Sequence, residues 1–391
     1  MSSLVVDIGS SSTKVGYSGE DLPMSVIPTA PSNTLMEKGT ESLENPLFNP
    51  ETADTDAPKV LMHRGLVNDW DEMEKFWQTA LNEGCVSASQ TEKTPVLLID
   101  SPMATISDRV KWAEILFEGY RAPSLCIGNS ASLSIFASGR TTGVVVDCGA
   151  GLATCVPVFE GLALTHACIE MEYCGMDISL KLQKLLKEKA ACTLNIVDAK
   201  ILKERMAYVY GEAPVPRDKK NKTPVTEANM KSLFLPDGKE VTLDNNLLGE
   251  CSELLFKNKS NAYGGLSSSV YESLRLCDDS IRGDLMNNIM ISGGTSMLPG
   301  LGDRLINDLN TQFSTNEEDI PSIASHTMSD NDKVRVLPSS KYRESGYTQQ
   351  RKYAAWTGGS IFASFESFKD LRVTKQEWED GAETALLAKC F

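Results

Sequence analysis

Two stretches of the chain, whose aspartates lie 140 residues apart, follow the same order of residue types. Leu4-Val5-Val6-Asp7-Ile8-Gly9-Ser10-Ser11-Ser12-Thr13-Lys14-Val15-Gly16-Tyr17 passes from an apolar segment through Asp-x-Gly into a small-residue turn and a β-rich return. Gly143-Val144-Val145-Val146-Asp147-Cys148-Gly149-Ala150-Gly151-Leu152-Ala153-Thr154-Cys155-Val156-Pro157-Val158 repeats that order. Each reads as a β-hairpin and not as a strand entering a helix. A spacing of 140 residues is domain-sized and far too long for a solenoid repeat. It therefore predicts two related halves whose equivalent turns face each other. A chain of 391 residues has room for both.

A third glycine cluster follows an apolar strand at Asn288 to Ser292: Gly293-Gly294-Thr295-Ser296-Met297-Leu298-Pro299-Gly300. Beyond it, Leu301, Leu305, Ile306 and Leu309 recur at helical spacing, giving strand, tight loop, helix. Helices are also predicted at 71–83, where Met73, Phe76, Trp77 and Ala80 share a face, and at 177–188, where Ile178, Leu182 and Leu185 do. Pro95 to Ile99 reads as a buried strand. The alternation gives a mixed α/β architecture. Two segments break it. Residues 28–58 carry five prolines among acidic residues, and 211–226 is rich in lysine and proline; both read as exposed loops and candidate contact surfaces.

Composition removes several function classes. A net charge of −15 argues against a nucleic-acid backbone as partner. No apolar run approaches the roughly 18 residues of a membrane span, and the first strand begins at Leu4, leaving no room for a signal peptide. An intracellular protein is expected. Ten cysteines without a Cys-x-x-Cys pair, and only three histidines, fit reduced thiols better than a disulfide or zinc framework.

A Gly/Ser hairpin turn presents successive backbone N–H groups with no bulky side chain in the way, which suits a phosphate. Lys14 adds positive charge. Asp7 and Asp147, ending their strands at equivalent places, would need a cation between them when facing a phosphate chain, and Mg²⁺ with its preference for oxygen and water fits. Neither a P-loop pattern nor a strand-to-helix Gly-x-Gly-x-x-Gly is present.

The N-terminal hairpin, Trp70-Asp71-Glu72-Met73-Glu74-Lys75, Ala137-Ser138-Gly139-Arg140-Thr141-Thr142-Gly143, Leu235-Pro236-Asp237-Gly238, Ile291-Ser292-Gly293-Gly294-Thr295, Arg351-Lys352-Tyr353, Trp356-Thr357-Gly358-Gly359-Ser360-Ile361 and the terminal Lys389-Cys390-Phe391 together resemble actin and the actin-related proteins. The resemblance runs nearly end to end and is weakest over 28–62 and 211–262. It implies an actin-like duplicated ribonuclease-H-like α/β fold, with two lobes (four subdomains) around a nucleotide cleft. Residues 1–137 plus 354–391 would form the first lobe, with a variable insertion at 28–62. Residues 138–353 would form the second, with a variable loop at 211–262.

The resemblance also implies ATP or ADP with Mg²⁺. Ser10, Ser11 and Lys14 would hold the phosphates from one lobe, and Gly149, Ala150 and Gly151 from the other. Asp7 and Asp147 would hold the metal through water. Gly175 and Asp177 would line the ribose side. Lys203, Glu204, Gly293, Gly294, Met297 and Lys352 would form the adenosine pocket. Actin orients its attacking water with a glutamine, an aspartate and a histidine; this chain places Ser130, Ala150 and Thr154 there, with Asn129 the neighbouring amide able to substitute. Very slow or absent hydrolysis is expected, because phosphoryl transfer to water depends on positioning.

The polar run Lys257 to Gly265 stands where actin has an apolar plug, which disfavours long filaments. The expected role is an architectural subunit of a multiprotein complex, cytoskeletal or chromatin-associated, in the cytoplasm or alternatively the nucleus. Its partners would be proteins: a helix docked near Trp356–Ile361 and the C-terminus, and actin or other actin-related proteins, with no direct nucleic acid and no membrane. The alternative is a divergent polymerising cytoskeletal actin with ATPase activity. Cys390 is expected to be a surface thiol.

Overall fold

Asp7 and Asp147 occupy equivalent places in two sheets of one topology. The computed structural model describes residues 2–29, 61–83, 92–171, 173–190, 192–212, 230–234, 238, 240–257, 265–315 and 334–390. In it Leu4–Ile8 pairs antiparallel with Ser12–Tyr17, and Gly143–Cys148 pairs antiparallel with Ala153–Phe159. The turns close alike: the Gly9 N–H donates to the Ser12 carbonyl at 3.2 Å, and the Gly149 N–H to the Leu152 carbonyl at 2.9 Å. On its other side Leu4–Ile8 lies parallel to Val96–Asp100, itself parallel to Ser124–Asn129. In the second sheet Gly143–Cys148 lies parallel to Ile289–Ser292, itself parallel to Val336–Leu337. Ser25–Pro28 extends the first sheet beyond its hairpin, and Leu162–Ala163 and Ile169–Glu170 extend the second. The mixed α/β, two-lobed duplication expected from the hairpins is present.

Strands flanked by helices on both faces are buried on both faces, which explains their unbroken apolar runs. Leu4, Val5, Val6, Val144, Val145 and Val146 are all fully buried. The covering helices follow from their spacing. Trp70–Glu83 buries Met73, Phe76, Trp77 and Ala80. Gly175–Lys189 buries Ile178, Leu182, Leu185 and Leu186. The helix opened by Leu301 runs to Thr315, past the expected Leu309, because Phe313 continues its apolar stripe into the core.

One expectation is located more closely and one is corrected. Within Trp356–Ile361, Trp356 is fully buried and its indole N–H donates to the Val5 carbonyl at 3.1 Å, so it belongs to the core; the exposed apolar side chains are Ile361 and, farther on, Phe365. Cys390 is also buried, at 8% exposure, and its Sγ accepts the Ile127 N–H at 3.4 Å. The cause is the C-terminal helix Lys375–Lys389, which docks through Trp378 stacked on Phe117. The cysteines among the described residues are free, and no helix among those residues is long and apolar enough to cross a membrane. Most of the 28–62 segment, half of the 211–262 segment, and residues 258–264 of the polar run lie outside the described residues.

Candidate functional site

The strand order brings both aspartate-tipped hairpins to one cavity of about 750 Å³. Asp7 and Asp147 line it, as do Ser10, Ser11, Lys14, Gly149, Ala150 and Gly151 from the turns, and Gly293, Gly294 and Met297 from the third glycine cluster. Lys203, Glu204 and Lys352 complete the wall, and Ser130, Ala150 and Thr154 all reach it. The turns touch. A Cβ on Gly151 would fall 2.5 Å from Ser10 Oγ and 2.6 Å from Ser10 Cβ, so only glycine admits this approach.

The charges are arranged asymmetrically. Lys14 Nζ pairs with Asp7 Oδ2 at 3.0 Å and donates to the Ser12 carbonyl at 3.0 Å. Asp147 has no such ion pair among the described residues. It accepts the Ser292 hydroxyl at 2.7 Å, and it keeps some surface open to the cavity while protein encloses the rest. That enclosure, added to by the charge of Asp7, raises its pKa against the lowering effect of Ser292 and Lys14. A divalent cation between the carboxylates would offset both the enclosure and the repulsion from Asp7. Among the described residues no group of three or more His, Cys, Asp or Glu could hold a metal. Such a cation would rest on two carboxylates plus water and phosphate oxygens, which is the habit of Mg²⁺.

Gly175 and Asp177 are not brought to the cavity wall. The Gly175 N–H donates to the Gly149 carbonyl at 3.0 Å, and a Cβ there would lie 2.1 Å from Thr295 Oγ1, so this glycine lets the helix start pack under the second turn. Asp177 caps its own helix, accepting the Cys174 N–H at 2.8 Å, which satisfies an end donor the helix cannot. Both act as supports for the turn. Lys203 lines the cavity, yet its Nζ donates to the Gly175 carbonyl at 2.7 Å, and burial pulls its pKa down to about 8. Asn129 is committed too: its Oδ1 accepts the Ala131 N–H at 2.9 Å as the cap of Ser130–Phe136, and it does not line the cavity.

Two cavity residues escaped the sequence reading. Asp100 ends the strand Val96–Asp100, receives Arg109 Nε at 3.1 Å, and has its pKa raised by burial to about 6. Lys200, on the helix Ile196–Met206, crosses from the second lobe to donate to Ser11 Oγ at 2.6 Å. Its signal was available: it precedes Lys203 and Glu204 by three and four residues, and so shares their helical face. Asp100 is the C-terminal residue of a parallel strand beside that of Asp7, the end at which such sheets bind ligands.

A family model described as Actin matches residues 1–391. The chain is similar to centractin of Saccharomyces cerevisiae, with 30% identity over 388 residues, covering 96% of this chain and 93% of the relative.

Proposed function

The chain belongs to the actin family, and from that premise we propose that it holds ATP or ADP with Mg²⁺ as a structural ligand, hydrolyses it very slowly, and serves as an architectural subunit of a protein complex. The observation that carries this is the convergence of the two hairpin turns on one cavity, with the Asp147 carboxylate enclosed beside Asp7 and disfavoured by its charge. The turn N–H groups would take the phosphates. The carboxylates would face the metal, and the wall of Lys203, Glu204, Gly294, Met297 and Lys352 would take the nucleoside. The lobes of this reading divide at 137/138 and 353/354.

Slow hydrolysis follows from what faces the phosphate end. Ala150 offers no side-chain acceptor, Ser130 and Thr154 are short, and Thr154 is held at 1% exposure opposite Asp147 in the hairpin. Asn129 cannot stand in while its oxygen caps a helix. Loss of a water-positioning set costs orders of magnitude, with effects that do not add. Exposed Ile361 and Phe365 supply an apolar face for a partner's helix.

Two measurements test the proposal. Mg-ATP or Mg-ADP at a hundredfold excess over Kd should stabilise the protein by about 2.7 kcal/mol, seen as a rise in melting temperature; an unmoved Tm would remove nucleotide binding. Phosphate release should stay near background over hours. Turnover at the rate of conventional actin, together with pelleting in Mg-ATP and raised salt, would favour the polymerising ATPase.

A further inference from the structure

Four lysines line the cavity among the described residues, and three have their charge engaged or weakened. Lys14 is paired with Asp7. Lys203 is buried against a carbonyl. Lys352 lies over the ring of Tyr353, 4.7 Å from its centroid. Lys200 differs. Its polar contact is a neutral hydroxyl, Ser11 Oγ, on the turn that would carry the phosphates, and it reaches that hydroxyl from the opposite lobe. A half-buried ammonium lining a cavity and satisfied, among the described residues, by one hydroxyl gains most from an anion, because hydrogen bonds to an ionised acceptor are about twice as strong as those to a neutral one.

We infer that Lys200 is the second lobe's phosphate-binding cation: on nucleotide binding its ammonium exchanges Ser11 for phosphate oxygen, so that it reads how many phosphates the nucleotide carries. This rests on the nucleotide reading above and adds to it a residue and a ligand selectivity. The same exchange couples the helix Ile196–Met206, which bears Lys203 and Glu204 at the nucleoside wall, to the first-lobe turn through the ligand. Cleft closure would then depend on phosphate charge as well as on the base.

The experiment measures Kd for adenosine, AMP, ADP and ATP in excess Mg²⁺ at fixed ionic strength, for the wild-type chain, Lys200→Met and Lys200→Arg. Lys200→Met should weaken ADP and ATP by about tenfold to a hundredfold, the span of a charged hydrogen bond, and leave adenosine unchanged. Lys200→Arg should keep most of the preference for phosphorylated ligands. If Lys200→Met weakens adenosine as much as ATP, the side chain only packs the nucleoside and the inference fails. An unchanged series would also refute it, since the ammonium would have stayed on Ser11. A wild-type chain that binds none of the four ligands would refute the nucleotide reading itself and this inference with it, an outcome distinct from wild-type binding that Lys200→Met leaves intact.

Discussion

Replacing Gly151 with alanine puts a methyl group where the two lobes meet. The new carbon would sit 2.5 Å from Ser10 Oγ and 2.6 Å from Ser10 Cβ, whereas ordinary contact begins near 3.4 Å, so the turns must part by roughly 1 Å. Ser10 is buried at 7% exposure and cannot swing away freely. Overpacking of this kind costs about 1–3 kcal/mol. Because the displaced turns are the ones proposed to hold phosphate, affinity for Mg-ATP should fall together with stability. Urea unfolding of the nucleotide-free protein measures the first effect and titration calorimetry the second. Gly346→Ala, where a Cβ meets nothing within 4 Å, should stay within about 0.5 kcal/mol of wild type. The double variant Ser10→Gly/Gly151→Ala removes the colliding atoms and should recover most of the lost stability, a coupling of about 1 kcal/mol or more. The reasoning fails if Gly151→Ala is as stable as Gly346→Ala, or if Ser10→Gly brings no recovery.

Asp147→Asn should stabilise the nucleotide-free protein, because it removes a carboxylate that burial and Asp7 disfavour, and should abolish the Mg²⁺ dependence of stabilisation by ATP; melting curves with and without the metal check both. Asp100, with its folded pKa raised to about 6 from an unfolded value of about 4, contributes most at low pH and loses that contribution as pH rises through 6. Asp100→Asn should therefore gain on wild type by up to about 3 kcal/mol between pH 4 and pH 7 in denaturant titrations, and a constant difference would contradict the assignment. Cys390 should resist a thiol reagent in the folded protein and react on unfolding, as peptide mapping after timed labelling would reveal; immediate labelling would mean that the C-terminal helix does not dock as described.

Local order was readable from the residues, and long-range company was not. The hairpins, the helix Trp70–Glu83 and the strand Val96–Asp100 come from alternation, helical spacing and turn chemistry, all settled within a few neighbours. Lys200 and Ser11 meet across 189 residues of sequence, and no periodicity encodes that. The same limit holds elsewhere. The resemblance placed Asp177 on the ribose side, and the structure shows its carboxylate capping its own helix through the Cys174 N–H. Nothing local to Trp356 shows that its indole N–H meets the Val5 carbonyl, 351 residues away. Asp100 was hidden because an apolar strand draws attention to its apolar positions, while the group that matters is the one where the strand ends.

Binding and hydrolysis separate naturally in this architecture. The groups proposed to bind belong to the hairpins themselves: turn N–H donors, strand-end aspartates, and glycines whose place is set by the 2.9 Å Gly149 to Leu152 bond and by the packing of Gly175. Changing the turn glycines disturbs the fold, because an added Cβ at Gly149, Gly151 or Gly175 meets other atoms at under 3 Å. The positions that would aim a water are side chains on that frame. Thr154 keeps its register opposite Asp147, and Ser130 keeps its place behind the Asn129 cap, whatever length of side chain each carries. On the proposed reading, side chains at Ser130, Ala150 and Thr154 can vary at little cost in stability, while the turn glycines that shape the cavity cannot. On this reasoning short side chains at the proposed water positions are compatible with intact turns: the glycines that shape the cavity are ones the fold also needs.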